Sequence, residues 1–358
     1  MRVLFSLLDA SVGGGQRVAI EVARRLEAEG DNIGLFVPSQ GPAAEEFRAV
    51  GATVYAADLQ TLRRMRGVRP AAAIAANYDV LYSHSSVPGE ILGASVARRA
   101  KIAHVVHRHT DPHFSPRIWT RAVQRRLYRG YLRTTPFIAV ATHVANSLLR
   151  LGIERDHIVV IPNGIAVAAT RRRRIGAKRK SSLRSIGALG RLDPSRGLDV
   201  FAEAARHLSR DGLRLVIGGA SGPFHEYETG VRRVAAESGV AIEEPGPRGV
   251  EFLETLDIVV IPSIYEGSPL TLFEAMALGK PIVASRIPGI AEVLERSGAG
   301  VLVPPGDPEA LADAIASLAA DAERRDALGR TALEVVRREH DLAHHLDRVV
   351  KVLRRAVE

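Results

Sequence analysis

Short apolar runs alternate with amphipathic helical stretches along nearly the whole chain, and the alternation begins twice. Residues 2–8 form a continuous apolar run of the kind a strand buried on both faces requires, and residues 16–29 follow with helical period. The pattern continues to a last short apolar run at 158–161. Asn163-Gly164 is then a turn pair, and residues 166–184 carry arginine and lysine clusters (171–174 and 178–180) without apolar periodicity, so they read as an exposed linker. At 183–190 the alternation resumes and runs to helices at 321–339 and 342–357. Strand–helix alternation of this kind is satisfied by a parallel sheet covered by helices on both faces. Two doubly wound α/β domains are therefore predicted: residues 1–165, a basic linker at 166–182, residues 183–340, and a helix in 341–358 that packs back on the first domain. Ligands of such sheets bind at the carboxyl ends of the strands, so the expected site is a cleft where the two domains face each other.

A chain of 358 residues suits two domains. It has no cysteine, which excludes disulfides, thiolate metal sites and a cysteine nucleophile and is consistent with a cytoplasmic protein. The first apolar run is too short to span a membrane and is followed by glycines and a helix, not a cleavage site, so a soluble chain is expected. Net charge is +9 and uneven. Residues 1–165 hold 21 Lys+Arg against 13 Asp+Glu; the remainder holds 28 against 27. The basic first half points to an anionic partner, or simply to an arginine-rich proteome.

Four segments carry chemistry. Gly13-Gly14-Gly15 lies between the first strand and the first helix, where bare backbone admits a ligand and a helix N-terminus favours an anion. A dinucleotide fingerprint would need a third small residue where Val18 stands and an acid near 32–36, and has neither, which disfavours a dehydrogenase. GRLDPSRGLD at 190–199 brings Arg191 and Arg196 to a strand–helix turn, and two guanidinium forks suit a diphosphate. In IPSIYEGSPLTLFEAMALGKP, 261–281, the N–H groups of Leu270 and Thr271 open a helix and are orphan donors. Glu266 precedes that helix. Glu274 sits within its apolar run, where a carboxylate needs partners: ribose hydroxyls, or a neighbouring cation. HVVHRHTDPH holds His104, His107, His109 and His113. On a strand His107 and His109 share one face and His104 takes the other, a spacing that fits no common zinc pattern. There is no Asp-x-Asp motif either, so no metal and no other cofactor are expected.

The ordered set of Gly13–Gly15, IPNG at 161–164, GRLDPSRGLD, and Glu266-x7-Glu274 followed by EAMALGKP resembles the retaining glycosyltransferases of the GT-B fold, in the large family 4. The resemblance covers nearly the whole chain. It implies two Rossmann-like domains and transfer of a sugar, with retention, from a nucleotide diphosphate sugar (a UDP-sugar) to a hydroxyl acceptor. It also implies roles. His107, Arg191, Arg196 and Glu266 would be catalytic, with His107 and Glu266 near the transferred sugar and both arginines on the diphosphate. Gly14, Gly15, Leu270 and Thr271 would approach the donor, Glu274 its ribose and Arg248 its base. Gly13, Arg108 and His109 would meet the acceptor. The family usually has lysine where this chain has Arg196, which replaces a point charge with a planar fork. The competing readings are a nucleotide-sugar epimerase of similar architecture and a non-catalytic basic ligand-binding protein. Nucleic acid is disfavoured by sparse aromatics and the lack of a recognition motif.

One segment points to the acceptor side. Residues 117–133 hold Arg117, Arg121, Arg125, Arg126, Arg129 and Arg133 with no acid, on a predicted helix. A basic amphipathic helix is expected to meet an anionic or lipid-linked acceptor, or the inner face of an anionic membrane; the plain alternative is a solvated face on an ordinary packed helix.

Overall fold

A computed structural model describes residues 1–7, 9–11, 13–56, 68–114, 117–167, 183–208, 212–245 and 249–358. Arg248 and most of the predicted linker, 168–182, lie outside the described residues. The chain divides into two compact units: unit 1 comprises Met1–Asn163 and Ala343–Glu358, and unit 2 comprises Gly164–Leu342.

In unit 1 the elements are β1 (Arg2–Leu7), α1 (Gly14–Ala28), β2 (Asn32–Val37), α2 (Pro42–Ala49), β3 (Thr53–Ala56), α3 (Val68–Ala75), β4 (Val80–His84), α4 (Val87–Ala100), β5 (Ala103–Arg108), α5 (Ile118–Leu132), β6 (Phe137–Ala139), α6 (Thr142–Arg150) and β7 (Ile158–Val160). The strands form one parallel sheet in the order β3-β2-β1-β4-β5-β6-β7. The chain winds outward on one side of β1 and then on the other, so β1 and β4 flank the switch point where a crevice opens at the strand ends. Phe5 of β1 packs edge-on against Phe47 and Tyr82, with ring centroids 5.1 and 5.3 Å away.

Unit 2 repeats the plan with β8 (Ser185–Arg191), α7 (Leu198–Ala204), β9 (Arg214–Ala220), α8 (His225–Glu237), β10 (Ala241–Glu243), α9 (Val250–Glu254), β11 (Ile258–Ile261), α10 (Leu270–Ala277), β12 (Ile282–Ser285), α11 (Pro288–Ser297), β13 (Val301–Val303), α12 (Pro308–Ala320) and α13 (Ala322–Glu339). Its sheet is parallel in the order β10-β9-β8-β11-β12-β13, with the switch point between β8 and β11. In β11, Ile258 and Val260 enter one apolar cluster while Val259 and Ile261 enter the other. Both faces of the strand are covered, which is why its sequence is apolar at every position.

The final helix, α14 (Leu342–Val357), belongs almost wholly to unit 1. It buries Leu346, Val349, Val350 and Leu353 there, Arg348 donates to the carbonyl of Val160 (2.6 Å), and Arg354 pairs with Glu29 and Asp31 at 2.8 Å each.

Candidate functional site

In unit 2 the expected donor residues gather at the switch point. Arg191 ends β8, half exposed, with Nη2 3.4 Å from Asp193 Oδ2. Asp193 Oδ1 accepts from the backbone N–H (2.9 Å) and hydroxyl (2.8 Å) of Ser195, which fixes the short 3-10 turn Pro194–Arg196. The turn ends at Gly197, φ +58°, where a side chain's Cβ would lie 2.1 Å from the carbonyl oxygen of Pro262. Glycine is required twice over, by conformation and by space. The approach lets the N–H groups of Ile264 and Tyr265 donate to the Ser195 carbonyl at 2.8 and 3.2 Å. Two loops are thus joined, and Arg196 forms an ion pair with Glu266, to which Ser263 Oγ also donates (3.2 Å). Burial and the nearby charge of Arg191 pull the Arg196 guanidinium below the ordinary arginine range. The family resemblance assigns these two side chains to separate parts of a donor; in the structure they meet each other.

Glu266 is held from a second side. A Cβ on Gly289, in the first turn of α11, would lie 2.3 Å from the Gly267 carbonyl oxygen and 2.5 Å from that of Glu266. Beyond this loop α10 opens at Pro269 with no side-chain cap, so the N–H groups of Leu270 and Thr271 fall in a first turn that offers them no intrahelical acceptor. One turn on, Glu274 is 2% exposed among Leu272, Phe273, Ala275 and Met276.

Unit 1 places histidines at its own switch point. β4 runs to His84, paired in register with Leu7 of β1, and β5 brings His107 beside it. The His107 and His109 rings stack 4.5 Å apart, His84 lies 5.0 and 5.1 Å from them, and His345 of α14 lies 6.1 Å from His107. His84 Nδ1 and His109 Nε2 are 2.9 Å apart and share a hydrogen bond. His107 Nδ1 bonds the Tyr82 hydroxyl (2.6 Å), and His345 Nδ1 donates to the carbonyl of Pro162 (2.9 Å). Among the described residues, Nε2 of His84 and of His107 are buried without a hydrogen-bond partner. Burial drives His84 and His107 well below the usual histidine range and His109 to about 3, so these three are uncharged at neutral pH. A nitrogen from each of His84, His107 and His109 lies within 4.8 Å of the others, so among the described residues these three are the set placed to share a cation.

The glycine loop touches this group. Gly13 caps α1, Gly14 and Gly15 form its first turn, and a Cβ on Gly15 would stand 3.0–3.3 Å from three atoms of the His109 ring. Arg108 has a different occupation from the acceptor contact expected of it. It is 4% exposed and donates to Glu90 (2.6 Å) and to the carbonyls of Ser85, Thr110 and Asp111. Tyr128 of α5 donates to the other Glu90 oxygen (2.8 Å), so Arg108 anchors α5 to the sheet. His104 turns to the opposite face and bonds Ser83 Oγ (2.9 Å), and His113 is exposed. Sequence reasoning missed His84 and His345; the only signal for His84 was its place at the end of an apolar run.

Residues 12–169 match the model of Glycosyltransferase Family 4, and residues 184–321 that of Glycosyl transferases group 1. Only residues 1–11, 170–183 and 322–358 fall outside the two matches. The chain belongs to the group 1 glycosyltransferases. The D-inositol 3-phosphate glycosyltransferase of Acidothermus cellulolyticus is 29% identical over 269 residues, which are 67% of this chain and 59% of that protein. The protein of the same name from Corynebacterium efficiens is 29% identical over 326 residues, 84% of this chain and 74% of the other. The chain thus spans about three-fifths of the first of these relatives and about three-quarters of the second. The crystal structure of Anabaena HepE in complex with UDP superimposes with a TM-score of 0.82 at 19% identity over 99% of both chains. The fold is GT-B, and family membership favours a transferase over the epimerase and the binding protein.

Proposed function

We propose that this chain transfers a sugar from a UDP-sugar to a hydroxyl group of an anionic acceptor, with retention of configuration. The observation that carries the proposal is the unit 2 switch point, where Arg191, the Arg196–Glu266 pair and the uncapped first turn of α10 converge at the end of β8 and β11 in a member of this family. The relatives' name, D-inositol 3-phosphate glycosyltransferase, and the Anabaena complex with UDP support the nucleotide donor and a phosphorylated acceptor.

In the reaction the bond between the sugar's anomeric carbon and the diphosphate oxygen breaks while the acceptor oxygen bonds to that carbon. The diphosphate leaves with the bonding pair, and its departing oxygen takes the proton that the acceptor hydroxyl gives up. Negative charge grows on the leaving group, and Arg191, Arg196 and the N–H groups of Leu270 and Thr271 are the donors that oppose it. Donor binding draws Arg196 toward phosphate and leaves Glu266 to accept from sugar hydroxyls. Glu274 holds the ribose. In unit 1 the uncharged His107 offers Nε2 as a hydrogen-bonding group to the sugar, and Gly13–Gly15 leave room for substrate beside His109. No step calls for a metal ion.

The test is a panel of nucleotide sugars scored by thermal shift and then by product formation with phosphorylated and neutral polyols. UDP-sugars should stabilise the protein, and phosphorylated polyols should be glycosylated faster. Absence of any nucleotide-sugar response would end the proposal. Activity should persist in EDTA; a loss restored by magnesium or manganese would reverse the metal-free mechanism.

A further inference from the structure

α5 presents to solvent what a helix in a folded domain normally hides. Tyr128 and Leu132 are fully buried and fix the helix to unit 1. Trp119 is 86% exposed, Ile118 70%, Val123 57% and Leu127 39%. Trp119, Val123 and Leu127 are spaced i, i+4, i+8, so they line one edge of the exposed face as a continuous apolar ridge. Along its other edge Arg121, Arg125 and Arg129 repeat at the same interval, with Arg126 between the two rows. No carboxylate among the described residues pairs with Arg121, Arg125 or Arg126; Arg125 lies over the Phe114 ring at 5.5 Å. Beneath the arginine row a groove of 930 Å³ runs between α5 and α6, lined by Arg121, Arg125, Arg129, Arg150 and Phe114. Its one acid, Asp111, accepts a hydrogen bond from Ser147.

We propose that α5 docks unit 1 on an anionic phospholipid bilayer, with Trp119, Val123 and Leu127 entering the headgroup–acyl boundary and the arginine row and its groove taking lipid phosphates. Two observations single out a bilayer. A soluble anion would use the arginines alone and leaves the apolar ridge unexplained. A protein partner has no call for three arginines without a carboxylate partner bordering an indole, whereas an interfacial helix combines these features. No helix of the described residues is long and apolar enough to cross a membrane, so the contact is peripheral. This reading stands apart from the transferase reading, because binding is measured without turnover.

Trp119 is the only tryptophan in the chain, so its fluorescence reports this surface directly. The full chain is titrated with vesicles of phosphatidylcholine containing about one quarter phosphatidylglycerol, and with pure phosphatidylcholine, at 0.1 and 1 M salt, where the screening length falls from about 10 to about 3 Å. The expected result is a blue shift with the anionic vesicles, weakened by salt and quenched by lipids brominated near the headgroup. Arg121→Glu/Arg125→Glu should lose at least 25-fold in vesicle affinity, since each basic residue near such a surface is worth about fivefold. Val123→Ser/Leu127→Ser should retain the salt-sensitive contact but lose the blue shift. No shift with anionic vesicles at low salt overturns the proposal. So do an equal shift with inorganic phosphate or glycerol phosphate, which would assign the groove to a free anion, an equal shift with RNA, and a shift that grows with protein concentration without lipid, which would assign the ridge to a second copy of the chain.

Discussion

Glu274 is almost fully buried, and Gln would keep its shape while removing its charge. Glu274→Gln should therefore leave the thermal midpoint little changed while donor affinity, measured by calorimetry, falls about 10- to 100-fold, the worth of a hydrogen bond to a charged group. Unchanged donor affinity would remove Glu274 from the ribose. Arg191→Ala and Arg196→Ala should each lower kcat about 100-fold or more, more than they alter acceptor KM, because the diphosphate charge they oppose is largest in the transition state. Arg196→Lys should keep part of the activity. The ion pair adds a consequence that separate roles would not have: Arg196→Ala and Glu266→Gln share a contact, so the double variant should be less impaired than the product of the single effects. Strict multiplication of the two losses in kcat/KM would mean that the pair does not act as one unit during turnover.

At the scale of elements, the donor segment was legible because its signals are local. A strand end, an N-terminal turn and a glutamate eight residues after another are all written within 261–281, and the structure keeps them within one loop and helix. The histidine group was not. His84 is the last residue of β4, and its meeting with His107 depends on the parallel register of β4 and β5. His345 joins through α14, more than 200 residues further along the chain. His340, which caps the end of α13, is buried against the Phe273 ring at 4.1 Å, whereas His344 in α14 is exposed. Three helices escaped periodicity: α3 is too rich in alanine to show a polar face, α9 is only five residues long, and α11 opens with Pro288-Gly289, which reads as a turn. Gly289 also carries a prediction. Gly289→Ala would press a methyl group into two carbonyl oxygens of the Glu266–Gly267 loop, neither of which can yield without moving Glu266. Unfolding by urea should show a loss of about 1–3 kcal/mol, with donor affinity reduced in parallel. A fully active variant of unchanged stability would show that the loop is softer than its packing.

For the molecule as a whole, the buried imidazoles set a dependence on pH. His104 and His109 are held neutral in the fold down to about 3, against an ordinary value of 6.5. Below pH 6.5 the unfolded chain takes up protons on these groups and the folded chain does not. Stability is therefore complete above pH 6.5 and falls as pH drops toward 3, by up to about 1.4 kcal/mol per pH unit for each such group. The thermal midpoint should decline between pH 6.5 and 5, above the range where most carboxylates protonate. His104→Gln should make the decline shallower. A midpoint that stays level over that interval would contradict the burial of these rings.

Because unit 1 consists of Met1–Asn163 together with Ala343–Glu358, unit 2 is an insertion within it, and the two reach completion in reverse order during synthesis. The ribosome makes the whole seven-stranded sheet first, but the surface that receives Leu346, Val349, Val350 and Leu353 stays bare until translation has passed through unit 2. Unit 2 can close as soon as it emerges; unit 1 must wait with an open seam beside β7 and α1, and with its histidine group lacking His345. A nascent chain arrested shortly before α14 should present a protease-resistant second half and a susceptible first half, the reverse of the usual order in which the N-terminal domain matures first.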